Sequence, residues 1–127
     1  QKKMNEYRKK ITELTKEKII NNIIPGLDSF EMAFSNKEAW EKVDENWRMG
    51  VSYIYTQIIK GLEDSGIEKI DQIGIPFDPY IHQSVEAIPT EKEADDHKVE
   101  KIIQIGFKTG DRVIRPAKVN IYQYKKE

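Results

Sequence analysis

The periodicity of apolar residues changes once along this chain, at Gly66, and that change limits the folds open to it. Before Gly66 the apolar side chains recur every three or four residues, the repeat of a helix face. After it they come in short β-branched runs set between Gly, Pro and Asp, the pattern of strands and turns. The expected fold class is therefore α+β, with a helical region over residues 1–66 and a small all-β domain over residues 67–127.

Residues 1–34 read as one long helix. Met4, Tyr7, Ile11 and Leu14 form a seam of the coiled-coil type, and a second seam runs through Ile20, Ile23, Leu27, Phe30 and Phe34. The step from Leu14 to Ile20 fits neither three nor four residues, which predicts a bend or a change of packing partner near residues 15–19. Pro25-Gly26 lies inside the second seam and weakens it, by removing a backbone donor and adding backbone freedom. Ser35-Asn36-Lys37-Glu38 has the form of a capping box, so a new helix is expected from there to about Ser65, where Ser65-Gly66 ends it. Val43, Trp47, Val51, Ile54, Ile58 and Leu62 share one face of that helix.

Two such helices form an αα-hairpin that buries one side of each. Pairing two hairpins across a two-fold axis gives a dimeric four-helix bundle, the arrangement we expect. Composition points the same way. Leu, Ile, Val and Phe make up 32 of 127 residues, 19 of them isoleucine, which is above the disordered range but lean for one compact core. The chain is thus expected to be elongated, or to complete its core with a second copy.

Beyond Gly66, strands are expected at Ile67–Ile70, Gln83–Ile88, Val99–Ile105, Arg112–Ile114 and Ala117–Tyr124, with a hairpin turn at Thr109-Gly110-Asp111. In the last run Ala117, Val119 and Ile121 are expected inside, and Lys118, Asn120 and Tyr122 outside. Residues 89–97 are polar enough to read as an exposed loop tip.

Several function classes are disfavoured. With no cysteine there is no thiol nucleophile, disulfide or cysteine-held zinc, and a reducing compartment is the default. No run approaches the ~18 apolar residues of a membrane span. The chain begins at Gln1 with helical patterning already under way, so upstream residues are expected to be missing. Asp95-Asp96-His97 are adjacent in a polar stretch and poorly arranged as metal ligands, and no serine has a nucleophile-elbow context. We expect no enzyme, cofactor or metal. Charge is divided: residues 1–18 carry seven basic and three acidic side chains, residues 86–100 two and six, and residues 101–127 seven and two. Each run reads first as a solvated face. Only Phe107, Tyr122 and Tyr124 accompany the last basic run as stacking platforms, so nucleic acid is not the expected partner.

Two stretches carry the most information. In Pro76-Phe77-Asp78-Pro79-Tyr80-Ile81-His82, Asp78 is a good N-cap and Pro79 suits a first helical position, so a single turn ending near His82 is expected, with Phe77 anchored in the core. Gly106-Phe107 followed by Asp111-Arg112-Val113-Ile114-Arg115-Pro116-Ala117 is the other. There Gly106 permits a kink, Phe107 packs inward, and Arg112, Arg115 and Lys118 are expected outside as a positive patch. Such arginines either grip carboxylates or protect a sheet edge.

Together, Phe77-Asp78-Pro79-x-x-His82 and Gly106-Phe107-x-x-x-Asp111-Arg112-Val113-Ile114-Arg115-Pro116-Ala117-x-Val119-x-Ile121 closely resemble the signature of the GrpE family, nucleotide exchange factors of DnaK-type heat-shock chaperones. The resemblance continues through Ile24-Pro25-Gly26-Leu27-Asp28-Ser29-Phe30 and Gly66-Ile67-Glu68-Lys69-Ile70, and covers nearly the whole chain. Ser84 departs from a usual alanine, and the family normally starts with a longer helix and a tail. The resemblance implies paired long helices, a dimeric four-helix bundle and a β-domain that enters the chaperone's nucleotide-binding domain and opens its cleft, with a bacterial cytoplasm expected ahead of an organellar matrix. It also implies partner contacts at Gly50, Ile103, Arg112, Ile121 and Lys10, and long helices that loosen on heating. Without it, the same architecture is that of a dimeric coiled-coil scaffold whose β-domain binds another acidic protein.

Overall fold

The structure is a computed structural model that describes residues 2–125; Gln1, Lys126 and Glu127, which end the expected helical and basic segments, lie outside the described residues. The chain divides into two compact units, Gln1–Gly66 and Ile67–Glu127, at the boundary where the periodicity changes.

In the first unit, α1 spans Lys2–Ser35 and continues through Pro25. The Ser29 hydroxyl donates to the Pro25 carbonyl at 3.0 Å, one turn on. Ile20, Ile24 and Leu27 are the buried residues of this helix. Here the expected seam is corrected: Ile23 is 38% exposed and its neighbour Ile24 lies inside. Steps of 3 then 4 and of 4 then 3 both lead from Ile20 to Leu27, so spacing alone does not choose between them. Met4, Tyr7, Ile11 and Leu14 are all at least 41% exposed, and the first buried residue of the helix is Ile20, beyond the point where the seam loses phase.

The second helix is corrected too. Asn36, not Ser35, is the cap, its side chain accepting the Ala39 amide at 3.3 Å, while the Ser35 hydroxyl donates back to Met32. A short α2, Lys37–Glu41, is followed by a break and by α3, Glu45–Asp64, which starts at an extended Asp44. The turn at Asn36 folds Trp40 back edge-on against Phe34, with ring centres 5.1 Å apart. Tyr55 of α3 meets Phe30 and Phe34 at 5.6 and 5.2 Å and donates its hydroxyl to the Glu31 carboxylate. Lys16 reaches the Ser65 carbonyl at 3.0 Å. These ties run in opposite sequence directions, so α1 and α3 form the expected antiparallel hairpin. The expected α3 face is divided. Val51, Ile58 and Leu62 are half-buried with Tyr55 and Ile59, whereas Trp47 and Ile54 are 67% and 52% exposed.

The second unit holds two three-stranded sheets. One has the order β1 (Ile67–Ile70), β4 (Gly106–Thr109), β5 (Arg112–Arg115), all antiparallel. The other has the order β2 (His82–Thr90), β6 (Ala117–Tyr124), β3 (Val99–Gln104), with β2 parallel to β6 and β3 antiparallel to it. Ile70, Val99, Ala117 and Val119 form the core, and Ile75, Phe77, Ile81, Ile102, Val113 and Ile121 pack against it.

The chain changes sheets three times, from β1 to β2, from β3 to β4 and from β5 to β6, and the last two crossings touch at Gly106. A Cβ built there would lie 2.5 Å from the Ala117 amide nitrogen and 2.6 Å from the Arg115 carbonyl oxygen. Only glycine lets these backbones meet.

The β alternation is corrected at Asn120, which is 7% exposed rather than outward-facing. Asn120 lies on β6, the central strand of its sheet, paired with Glu86 of β2 on one side and Lys101 of β3 on the other, so alternation along β6 does not leave it exposed. The expected loop tip at 89–97 is only partly one: Pro89 and Thr90 continue β2, and Asp95 and Asp96 are half-buried around a single 3-10 turn.

Candidate partner-binding site

Residues 77–82 form a corner that is rigid for identifiable reasons. The Asp78 carbonyl accepts the Ile81 and His82 amides at 3.0 and 2.8 Å, which closes one helical turn. The Asp78 carboxylate accepts the Tyr80 amide at 2.9 Å, and the Asp78 amide donates to His82 Nδ1 at 2.9 Å. Phe77 stacks on the His82 ring with centroids 5.7 Å apart. His82 is 3% exposed, and burial pushes its pKa below the ordinary 6.5, partly opposed by the Asp78 carboxylate. Because Nδ1 accepts, the proton sits on Nε2, which has no hydrogen-bond partner among the described residues. The Asp–His pair is thus a structural lock. Pro79 holds the turn's first position, as expected.

Facing this corner is the β4–β5 hairpin, which turns at Gly110 with φ +58°. Arg112 stands exposed at its far side, as the first residue of β5. Arg115 does not join it in a positive patch, as the sequence reading expected. Its Nε and Nη2 donate to the Ile105 carbonyl at 3.2 and 2.6 Å, and its guanidinium lies 5.7 Å from the centre of the fully buried Phe107 ring. The reason is local: the chain crosses between sheets at Gly106, and Arg115 satisfies the carbonyl left at that crossing.

The remaining positions fall into two groups. Ile103 on β3 is 47% exposed, while Ile121 on the neighbouring β6 is half-buried against the core. In the helical unit Gly50 and Lys10 are both exposed. A Cβ added at Gly50 meets no atom within 4 Å among the described residues, so packing within the chain does not require glycine there. Trp47, Met49 and Tyr53 around it are each at least 64% exposed. Asp96 is occupied as a cap, accepting the Tyr124 amide at 2.8 Å. Among the described residues no cluster of three metal-ligating side chains occurs, and no helix is long and apolar enough to cross a membrane.

For two residues beside the candidate positions the sequence reading did not give the placement. Tyr80, an unremarked position between Pro79 and His82, donates its hydroxyl to the Asp111 carbonyl at 2.6 Å. Trp47 was assigned to a buried face, and only the three-dimensional placement of α3 shows it exposed beside Gly50.

Comparison with known proteins decides the family. The GrpE family model matches residues 1–123. The chain belongs to the GrpE family. Among its relatives in the family, Protein GrpE of Limosilactobacillus reuteri is 32% identical over 124 residues, 95% of this chain and 63% of that protein. Protein GrpE of Enterococcus faecalis is 34% identical over 101 residues, 80% of this chain and 56% of that protein. Protein GrpE of Protochlamydia amoebophila is 31% identical over 120 residues, 94% of this chain and 56% of that protein. The chain therefore spans roughly three fifths of the length of these GrpE relatives.

Proposed function

We propose that this chain acts as a homodimeric nucleotide exchange factor: it binds the nucleotide-binding domain of a DnaK-type chaperone in a bacterial cytoplasm, holds the cleft open and promotes release of ADP. The observation that carries this reading is Gly50, a glycine in mid-helix that its own protomer does not need. Glycine costs a helix ~1 kcal/mol against alanine. A partner backbone approaching α3 closely gives that cost a purpose, and the exposed Trp47, Met49 and Tyr53 supply apolar contact around it. Exposed Ile103 and Arg112 on short, paired strands give the β-domain its own contacts. Ile121, half-buried, contributes less, and Lys10 adds a charge on α1.

Such a protein makes and breaks no bond. A partner that binds the open cleft better than the closed one lowers nucleotide affinity by the same factor, because binding free energies are reciprocally linked. The second copy covers the exposed seam of Met4, Tyr7, Ile11 and Leu14 and completes the helical core.

The deciding measurement is release of labelled ADP from a DnaK-type chaperone with and without the protein. Acceleration supports the reading. An unchanged rate overturns it, and chaperone binding that ignores nucleotide state points instead to a scaffold. Sedimentation at several concentrations tests the pairing, and a monomer at tens of micromolar contradicts it.

A further inference from the structure

The tip of the β4–β5 hairpin carries Arg112, and a short two-stranded hairpin tip is ordinarily a mobile element. Here it is tied from outside. Tyr80, 31 residues earlier in the chain, donates its phenol hydroxyl to the carbonyl of Asp111 at 2.6 Å, one residue before Arg112. The Tyr80 side chain is not held by burial, since the residue is 66% exposed. It is held by where its backbone sits: Asp78 caps the Tyr80 amide, and Asp78 is itself fixed by the buried His82. A run of hydrogen bonds thus leads from the core, through His82, Asp78 and Tyr80, to the hairpin tip.

We propose that Tyr80 is a positioning residue for partner binding, a strut that sets the direction in which the β4–β5 hairpin presents Arg112. The inference deepens the exchange-factor reading and rests on it. An arginine on an ordered tip binds with less loss of conformational freedom than one on a loose tip. The phenylalanine variant isolates the effect, because it removes one hydroxyl from an exposed ring and leaves the corner's backbone bonds in place.

The experiment compares wild type, Tyr80→Phe, Arg112→Ala and the double variant in their stimulation of labelled ADP release from a DnaK-type chaperone. Amide hydrogen exchange of residues 110–112 is followed in the uncomplexed protein. For Tyr80→Phe the concentration for half-maximal stimulation is expected to rise roughly threefold, the worth of one ordinary hydrogen bond. The maximal rate stays unchanged, and the tip amides exchange faster. In the Arg112→Ala background the same substitution is expected to change nothing further, which a merely structural role would not produce. Equal half-maximal concentrations for wild type and Tyr80→Phe overturn the inference, as do effects of the two substitutions that simply add. If wild type itself leaves release unchanged, the exchange-factor reading falls and takes this role with it, a result distinct from failure of the strut alone.

Discussion

Arg115 and Ile105 are joined by two hydrogen bonds, from Nε at 3.2 Å and from Nη2 at 2.6 Å, onto one carbonyl at the point where the chain passes between sheets. This separates two arginines three residues apart. Arg115 closes the β-domain, whereas Arg112 stands exposed on its surface. Arg115→Ala is expected to lower β-domain stability by about 2 kcal/mol, the range for a charged donor lost to a buried acceptor. Arg112→Ala should cost the β-domain less stability than Arg115→Ala, since the residue is exposed, while weakening ADP release. Urea unfolding followed by NMR signals of Val99 and Val119 measures the first effect. A chaperone release assay measures the second.

Gly106→Ala tests the crossing itself. The new methyl would press on the backbone of Ala117 and Arg115 rather than on a side chain able to swing away. A loss of roughly 3 kcal/mol or more in the β-domain is expected, with the helical unit unaffected. The same urea experiment reads it, with Trp40 and Trp47 fluorescence reporting the helical unit separately.

At Gly50 the expected signs are opposite. With open space around the position, Gly50→Ala should stabilise the helical unit by about 0.5 to 1 kcal/mol. It should also reduce stimulation of ADP release, because the methyl intrudes where the partner comes close. Gly50→Asp should reduce it further. Thermal unfolding by tryptophan fluorescence beside the release assay checks both signs, and an alanine variant as active as wild type would remove close approach as the reason for glycine.

His82 links the β-domain to pH. Its folded pKa lies below the ordinary 6.5, so as pH falls the unfolded chain takes up the proton first. The stabilisation is fully present above about 6.5 and is lost progressively as pH falls from there toward the lowered folded value. Protonation also removes Nδ1 as the acceptor for the Asp78 amide. The urea midpoint of the β-domain is therefore expected to drop over this window in wild type. In His82→Gln that part of the slope should disappear.

Much of this fold was legible in the residues, and the exceptions share a cause. The division at Gly66, the strand runs and the corner at Phe77–His82 follow from local signals: periodicity, turn residues and caps. Ile23 against Ile24 was not legible, because both fit the helical repeat and only the position of α3 selects between them. The fold of α2 back onto α1 brings Trp40 to Phe34, a contact between helices that no local pattern contains. Asn120 is buried on the central strand between β2 and β3, and a pattern read along one strand does not contain its neighbours. Among the candidate positions, Gly50 came from the family resemblance and Arg112 from an expected positive patch, whereas Tyr80 has no local signature and its hydroxyl meets a residue far along the chain.

The double crossing at Gly106 also bears on how the β-domain is destroyed. Since β3 runs into β4 and β5 into β6 at one shared point, peeling away either sheet pulls on the other, and no sheet is left behind as a stable remnant. A protease acting on the opened form should then find the whole β-domain or none of it, so turnover would leave no half-digested β fragment able to occupy a partner without releasing its ligand.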